Sequence, residues 1–501
     1  MTPPVVAPFG DRAVRFAIPP GAPHRTLLAQ LSAVPGARDV VLTEEIGCVV
    51  LAEDADARRT SDAVEAVLVQ VGRDVGEDAG ATHTIGVVYD GEDLASVAAA
   101  IGQSAQDVVA LHSGAEYRVA MLGFLPGFAY LRGLPPELRL PRRAPRPRVP
   151  ANSVAIAAEY GGVYPFASPG GWHLLGRAAN FQAFGASGAA LAIGDVVRFV
   201  AIAADEASAS PPQAPREAPS ETAFGRPHLE VTRAAAIALP VDGGRPGRMH
   251  EGVPPGGPLV RSLLAQANES AGNAPDACAL EIYGTLEVTA RGGPVVVADD
   301  ASGPITLREG QTHLVSTEGR MRVRYLALGG GVDAPVVLGS RCALLLAGIG
   351  RVFRRGDRLF PDAATPLRNA RPLAQPGLAR ADAPVAILPG PDAADVALEE
   401  LARQELRIAA ASDRTGTRLE GPPLVRRSGT SALEGATAST MSRRSTPMVM
   451  GAIELTPSGL IVLGPDHPTT GGYPVVAVVA SSSLDELFER PVGSTVRFTL
   501  A

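Results

Sequence analysis

The chain has 501 residues, a net charge of −7 at pH 7 and 46% hydrophobic residues, which predicts more than two domains because one hydrophobic core stops growing at about 250 to 300 residues. All 45 basic residues are arginine, so no lysine is present to carry biotin or lipoate, to form a Schiff base with pyridoxal phosphate, or to serve a P-loop. The acidic balance also argues against a nucleic-acid partner.

Cysteine usage and apolar runs narrow the class of protein further. Cys48, Cys278 and Cys342 are far apart, with no histidine in metal-ligand spacing, which indicates buried thiols and no metal site. No run reaches the ~18 apolar residues of a membrane helix, and Met1 to Gly10 lacks a signal-peptide pattern. We therefore expect a cytoplasmic protein that binds no membrane.

The first 82 residues combine short apolar alternations with amphipathic stretches. Alternation in Val14–Ile18 predicts a strand, and the spacing of apolar residues in Ala63–Val71 predicts a helix. We therefore expect a small α+β domain over residues 1–82.

The next segment, residues 83–206, is dominated by strand patterns. The apolar spacing predicts, in order, a strand, two short helices and a strand at Thr84–Tyr89, Leu94–Ile101, Ala105–His112 and Tyr117–Leu122. Proline-bounded strand patterns then continue to Val200, which is typical of a barrel.

A linker and two further blocks complete the chain. Residues 207–227 are rich in Ala, Ser, Pro and Glu, which predicts an exposed linker. The blocks, at residues 228–365 and 366–501, contain many short strand patterns. The 55 glycines and 45 prolines favour short strands and turns over long helices. The predicted fold class is mainly β, with a smaller α+β part.

Two loops carry a Gly-Gly step capped by an aromatic residue, Gly170–Trp172 and Gly471–Tyr473. A glycine pair lets backbone N–H groups approach a ligand closely, and the ring supplies a wall. These loops predict two related halves that build one or two binding sites.

The densest group of such residues runs from Met121 to Arg177, where turn glycines, aromatic rings and arginines gather. Arginine forks suit carboxylates or phosphates. Glycines, aromatic residues and arginines gathered so densely indicate a concave site for a small anionic or amide ligand rather than packing alone. The predicted binding residues here are Phe124, Tyr130, Arg148, Ser153, Tyr164, Ser168, Gly170, Gly171 and Trp172.

The motifs resemble two known families. Phe9–Ala13 and the GFLPGFAYL run at Gly123–Leu131 resemble the B-subunit family of bacterial 5-oxoprolinase, also known as the Kip inhibitor family, over about residues 5–200. The second block resembles the C-subunit, or biotin-dependent carboxyltransferase, family of the same enzyme. Its matching motifs are Gly244–Gly247, Gly252–Pro255, Ala267–Asn268, Gly272–Asn273, Leu280–Glu281, Gly339–Arg341, Gly356–Asp357, Ser412–Arg414, Arg418–Gly421, Gly451–Ile453, Asp466 and Thr469–Pro474.

The resemblance implies a fusion of two usually separate subunits, with a cyclophilin-like barrel in each half. It implies that the chain works with a separate A subunit to open the lactam of 5-oxoproline to glutamate, driven by ATP. The same modules resemble the carboxyltransferase region of urea amidolyase. That resemblance implies an alternative, allophanate-related reaction, in which a carboxyl group passes from carboxybiotin to a urea-like or amide acceptor. The biotin would be held on a carrier protein and carboxylated by a biotin carboxylase. A non-catalytic regulator of a kinase or another enzyme is a third interpretation.

Both chemistries act on a small amide-type substrate whose carbonyl oxygen gathers negative charge. Backbone N–H groups of the two Gly-Gly steps would stabilise that oxygen. The residues predicted to transfer protons or orient the substrate are Asp242, Asp413 and Asp466. In this half the predicted binding residues are Arg245, Asn268, Arg341, Arg418, Thr470, Gly471, Gly472 and Tyr473.

Four positions depart from the pattern of the C-subunit family. Val241, Pro468 and Glu454 stand where glutamine is usual, and Val260 stands where aspartate is usual. Valine and proline cannot replace the lost hydrogen bonds. We therefore expect a working site at the first Gly-Gly loop before the second, and a second half that binds a different substrate or has lost catalysis. The place of ATP and the oligomeric state, with a homo-oligomer among the options, stay open.

Overall fold

The computed structural model describes residues 5–72, 80–206, 225–318, 321–362, 383–424 and 444–501. Most of the predicted linker, and the predicted boundary between residues 365 and 366, lie outside these ranges. The domain boundaries therefore stay predictions.

The N-terminal unit is a four-stranded antiparallel sheet in the order β1-β2-β4-β3 with two helices. Its elements are β1 Val6–Pro8, β2 Ala13–Ala17, α1 His24–Ser32, β3 Ala37–Leu42, β4 Ile46–Leu51 and α2 Ala57–Val71. Leu27 and Leu31 on α1, and Val64 and Leu68 on α2, are buried at helical spacing, so each helix covers the sheet with one apolar face. The predicted small α+β unit is confirmed.

The next unit is a closed barrel in the order β10-β7-β6-β15-β5-β12-β9. Neighbouring strands are antiparallel except β15 and β5, which pair in parallel. The elements are β5 Thr82–Val88, α3 Leu94–Ala100, α4 Ala105–Ser113, β6 Glu116–Leu122, β7 Ala129–Arg132, β8 Arg146–Val149, β9 Ser153–Ala157, β10 Tyr160–Val163, β11 Ser168–Gly170, β12 His173–Ala179, β13 Phe184–Gly185, β14 Gly188–Ala189 and β15 Val196–Ala201. The predicted barrel is confirmed.

The second half begins with a seven-stranded sheet built on the long antiparallel hairpin of β16 and β17. Its order is β19-β18-β21-β17-β16-β22, and β20 also pairs with β17. The elements are β16 His228–Val241, α5 Arg261–Ser270, β17 Ala279–Arg291, β18 Val295–Asp299, β19 Ile305–Leu307, β20 Thr312–Ser316, β21 Arg324–Leu328 and β22 Arg358–Leu359.

The last sheet has eight strands in the order β31-β24-β25-β28-β27-β30-β23-β32. The elements are β23 Val385–Pro389, α6 Leu398–Arg403, β24 Leu406–Ile408, β25 Gly416–Glu420, β26 Thr446–Pro447, β27 Ala452–Thr456, β28 Gly459–Leu463, β29 Thr470–Gly471, β30 Val475–Val479, α7 Leu484–Glu489, β31 Thr495–Val496 and β32 Phe498–Leu500. Only Arg497 separates the two edge strands β31 and β32, so the sheet nearly closes. The second predicted barrel is therefore also present.

Short 3-10 helices and one bent helix pair complete the described elements. The 3-10 helices span Pro136–Leu138, Met249–Glu251, Leu345–Ala347, Ala393–Asp395 and Ser481–Ser483. In the described ranges no single helix is long and apolar enough to cross a membrane; α3 and α4 reach that length and apolar content only together, and they are bent by 95° to each other.

The first and second halves are packed together. Cys48 of β4 and Phe9, which follows β1, share a buried apolar cluster with Val478 of β30 and with Met448, which follows β26. At a second contact the Asp39 carboxylate accepts a hydrogen bond of 3.1 Å from the backbone N–H of Met249. These contacts bring loops from both halves to one junction.

Candidate functional site

The second Gly-Gly loop lies at the junction of the two halves. Gly123, which follows β6 of the first barrel, packs directly on Thr470: a Cβ at Gly123 would lie 2.6 Å from Thr470 Cγ2 and closer still to its hydroxyl oxygen. Burial raises the pKa of Tyr130, and the nearby hydroxyls of Ser445 and Thr470 act against that rise. Two residues predicted from separate motifs, Tyr130 and Thr470, are thus brought together.

The loop between β6 and β7 is tightly constrained where it meets the second half. Gly127 donates its N–H to the Glu251 carbonyl over 2.8 Å, and a Cβ on Gly252 would lie 2.5 Å from the Leu125 carbonyl oxygen. Phe124 adopts φ 66°, a left-handed conformation that bulky residues rarely take. Such strain persists only where the surroundings enforce it, and it is frequent at functional sites.

A buried ion network stands at the start of the second loop. Arg414 contacts Asp466 through Nε and Nη2, at 2.7 and 2.9 Å, and Glu281 through Nη1 at 2.5 Å. Glu281 also accepts hydrogen bonds from the Tyr325 hydroxyl and the Leu259 N–H, each at 2.7 Å. Burial pushes the pKa of Glu281 up, but the Arg414 charge and these hydrogen bonds hold it below its usual value. Both carboxylates therefore contact Arg414, and Glu281 is held in its ionised form.

Arg245 is the largest fully buried side chain of the described residues, with 1% of its surface exposed. Its Nη2 donates to the Cys342 carbonyl, but Nε and Nη1 have no hydrogen-bond partner among the described residues. Nη1 lies 3.4 Å from the point where a Cβ on Gly256 would stand. Buried guanidinium groups are normally paired, so two donors without a partner are unusual at this depth.

His467 supplies a free acceptor on the second loop. Its Nδ1 donates to the Pro468 carbonyl over 2.9 Å, which leaves the Nε2 lone pair available, and Nε2 has no partner among the described residues. Burial lowers the pKa of His467 to about 4, so the imidazole is neutral at pH 7. The buried Thr469 hydroxyl also lacks a partner in the described part of the chain. Thr469 belongs to the matching motif Thr469–Pro474 but was given no role, and His467 did not stand out because lone histidines are common.

Glu454 on β27 lies against the second glycine pair. A Cβ on Gly471 would lie 3.0 Å from Glu454 Oε1, and burial raises the pKa of Glu454 to about 7. A carboxyl group with such a pKa exchanges its proton near neutral pH, as general acids and bases must. The sequence showed Glu454 in place of the usual glutamine but gave no reason to assign it a role.

Replacing Glu454 by glutamine is expected to raise the free energy of unfolding at pH 8 by on the order of 2–3 kcal/mol, with little change at pH 4. The folded-state pKa of about 7 lies above the ordinary value of 4.5, so wild type loses stability as pH rises between these values. Denaturant unfolding at several pH values measures the effect. The exposed Glu420, changed to glutamine, is the control, and equal pH slopes in wild type and E454Q would contradict the assignment.

The aromatic residues predicted in the first half form one cluster, which contacts Tyr130 at the junction. Phe124, Phe128, Tyr164 and Trp172 pack edge to face in one cluster. A Cβ on Gly170 would clash with the Tyr164 hydroxyl, and a Cβ on Gly171 would lie 2.5 Å from the Arg143 carbonyl oxygen. The first glycine pair thus packs on its own barrel, and the expectation of a working site at the first loop before the second stays a prediction.

The polar members of that first-half set differ in their surroundings. Ser153 donates to the Pro150 carbonyl over 2.8 Å, and Arg148 is exposed on β8. The Ser168 hydroxyl is buried without a partner among the described residues. Their assignment to a ligand stays a prediction.

Three of the predicted residues, Asp242, Arg341 and Asn268, use their polar groups in hydrogen bonds and ion pairs within the protein. Asp242 accepts from the Arg341 N–H and the Ser340 hydroxyl, each at 2.5 Å, and so holds their loop in place. The Arg341 guanidinium pairs with Asp362 at 2.8 Å. The Asn268 amide donates to the Ala277 carbonyl over 2.7 Å. These contacts point to positioning rather than to direct ligand contact.

The remaining predicted residues lie near the surface. Asp413 accepts from the N–H groups of Thr415 and Gly416 and so shapes a turn. Arg418 is exposed on β25, and Tyr473 is exposed after the second loop. In the described ranges no group of three or more His, Cys, Asp or Glu residues is arranged to hold a metal ion. All three cysteines are buried free thiols, as the sequence predicts.

Comparison with known proteins assigns the two halves separately. The carboxyltransferase domain model for subdomains C and D matches residues 6–190, and the model for subdomains A and B matches residues 251–500. Over its whole length the chain is similar to the crystal structure of TTHA0988, with 31% identity and a TM-score of 0.82, covering 97% of this chain and 99% of that one.

Curated relatives match one half at a time. The B subunit of 5-oxoprolinase from Escherichia coli O157:H7 is 52% identical over 122 residues, which are 23% of this chain and 56% of that protein. The C subunit of 5-oxoprolinase from Escherichia coli K12 is 28% identical over 296 residues, 54% of this chain and 90% of that protein. Urea amidolyase of Lachancea kluyveri is 27% identical over 312 residues, 54% of this chain and 17% of that protein. The match thus spans little more than half of the first of these relatives.

Proposed function

Because the chain belongs to the carboxyltransferase domain family and carries subdomains C and D followed by A and B, we propose that it acts as the fused B and C subunits of an ATP-dependent 5-oxoprolinase-like enzyme. It would open the lactam of 5-oxoproline to glutamate together with a separate A-type subunit. The observation that carries the proposal is the junction, where Thr470 of the C-like half packs on Gly123 of the B-like half. A site shared in this way explains why two subunits are joined.

The residues at the junction have the chemistry that lactam opening needs. A proton must reach the leaving nitrogen, and Glu454 beside Gly471, with a pKa near 7, is suited to carry it. The neutral His467 presents a lone pair at Nε2 to which an amide N–H would donate. ATP supplies the free energy for opening a stable ring. Since the 501 residues have no lysine for a P-loop, we assign nucleotide binding to the A-type partner.

Carboxyl transfer is the second candidate, favoured by the description of both family models and by the similarity to urea amidolyase. In that case a biotinylated carrier protein, loaded by a biotin carboxylase, would deliver carboxybiotin to the junction. The biotinylated lysine of the carrier would lie outside these 501 residues, which contain no lysine.

Reconstitution separates the two chemistries. We expect this chain, mixed with an A-type 5-oxoprolinase subunit, to form glutamate from 5-oxoproline only when ATP is present, with each protein alone as the control. Transfer of labelled bicarbonate to urea in the presence of a biotin carboxylase and its carrier would instead support the alternative. Absence of glutamate with a correctly folded partner would reject the first proposal.

A further inference from the structure

We propose that Arg245 is the anchor for a carboxylate on the small-molecule ligand of this chain, so that the substrate class is a carboxylate-bearing amide. The inference rests on the proposed function and deepens it. Arg245 is 1% exposed, and its Nε and Nη1 have no partner among the described residues. An unpaired charge so deeply buried is expensive unless an anion joins it.

Arg245 is connected to the second Gly-Gly loop through Gly256. Gly256, beside Arg245 Nη1, donates its N–H to the Pro465 carbonyl over 3.0 Å, two residues before His467. Burial raises the pKa of the Cys342 thiol to about 11, and the charges of Arg414, Asp466 and Arg245 all act on that thiol. The free guanidinium donors and the loop that carries the free Nε2 of His467 therefore belong to one region.

The local charges favour a carboxylate over a phosphate. Arg414 of this region is already paired with Glu281 and Asp466, whereas Arg245 keeps two donors that have no partner among the described residues. A carboxylate carries one charge, which one guanidinium can match, whereas a nucleotide phosphate group usually needs several donors. A ligand with a carboxylate and an amide N–H would satisfy both Arg245 and His467.

Isothermal titration of the chain with matched ligands tests the inference. The ligands are 5-oxoproline, pyrrolidin-2-one, which is the same lactam without the carboxylate, and inorganic phosphate. We expect wild type to bind 5-oxoproline at least 10-fold more tightly than pyrrolidin-2-one. Arg245→Gln should weaken 5-oxoproline binding by roughly 10- to 100-fold and leave pyrrolidin-2-one unaffected. Arg322→Gln, at another buried arginine that is bonded to Thr417, is the control for loss of a buried guanidinium.

If Arg245→Gln does not fold, alanine substitutions at Gly256 and Gly257 still test the inference. Gly256 and Gly257 have φ of 63° and 84°, so alanine strains both positions, but only a Cβ at Gly256 would face Arg245 Nη1. Gly256→Ala should reduce the preference for 5-oxoproline, and Gly257→Ala should retain it. Equal binding of the two lactams, binding of neither, or a preference that survives Arg245→Gln overturns the inference. Arg245-dependent phosphate binding without that preference also overturns it.

The proposed function can fail independently of this subsite. Glutamate formation with an unchanged KM in Arg245→Gln would leave the function standing and remove the carboxylate anchor. Arg245-dependent binding of 5-oxoproline without any turnover beside a working partner would leave the anchor standing and remove the function.

Discussion

Replacing Arg414 by glutamine is expected to lower the free energy of unfolding of the second half by about 3–5 kcal/mol. The change leaves Glu281 and Asp466 without the cation that neutralises them, and Glu281 is completely buried. An uncompensated buried carboxylate is more costly than the loss of the ion pair itself. Denaturant unfolding followed by circular dichroism measures the shift.

The matched control is a solvent-exposed ion pair of the same protein. Arg198 and Glu116 pair on the surface of the first barrel, with side chains 58% and 53% exposed. Arg198→Gln should change stability by less than about 1 kcal/mol. A similar loss of stability in both variants would contradict the prediction, because the buried ion network would then matter no more than a surface ion pair.

The pH dependence gives the Arg414 prediction a second readout. In wild type the lowered pKa of Glu281 stabilises the fold above the ordinary pKa, and that stability is lost as pH falls through the folded-state value. Without the Arg414 charge, only the remaining hydrogen bonds oppose burial, so the pKa of Glu281 rises and the variant lacks the stability that the wild type has at neutral pH. The difference between wild type and Arg414→Gln should therefore be largest near pH 8 and smallest near pH 4.

Local patterns were sufficient to predict many individual elements. The strand expected at Tyr117–Leu122 is observed at Glu116–Leu122, and the helix expected at Ala105–His112 spans Ala105–Ser113. Apolar periodicity determines such segments because each buries one face. The parallel pairing of β15 with β5, which closes the barrel, joins distant segments and leaves no local signal.

The site was harder to predict because hydrogen-bond partners are set by the tertiary fold. Asp242 and Arg245 are three residues apart, yet Asp242 accepts several internal hydrogen bonds and Arg245 keeps donors that have no partner among the described residues. Sequence cannot count those partners. Likewise the proton affinity of Glu454 arises from burial beside Gly471, which depends on how β27 and the second loop pack.

Gly123→Ala is expected to separate the two halves at their junction. The proposed 5-oxoproline-opening activity with the A-type subunit should fall by about 100-fold, because a displacement of about 1 Å at a site can have that effect. The added Cβ would overlap the side chain of Thr470, and overpacking of this kind costs about 1–3 kcal/mol. Gly123 has no left-handed φ, so the effect is steric rather than conformational.

A rescue and a control make the Gly123 prediction specific to the junction. Thr470→Gly removes every atom that the new Cβ would meet at that residue, so the double variant should recover stability relative to Gly123→Ala, a coupling that a double-mutant cycle measures. Gly303→Ala, where no atom lies within 4 Å of the added Cβ, should behave as wild type. If Gly123→Ala kept full activity and stability, the loops after β6 and before β30 would not form one site. The fusion of the two halves would then need another explanation.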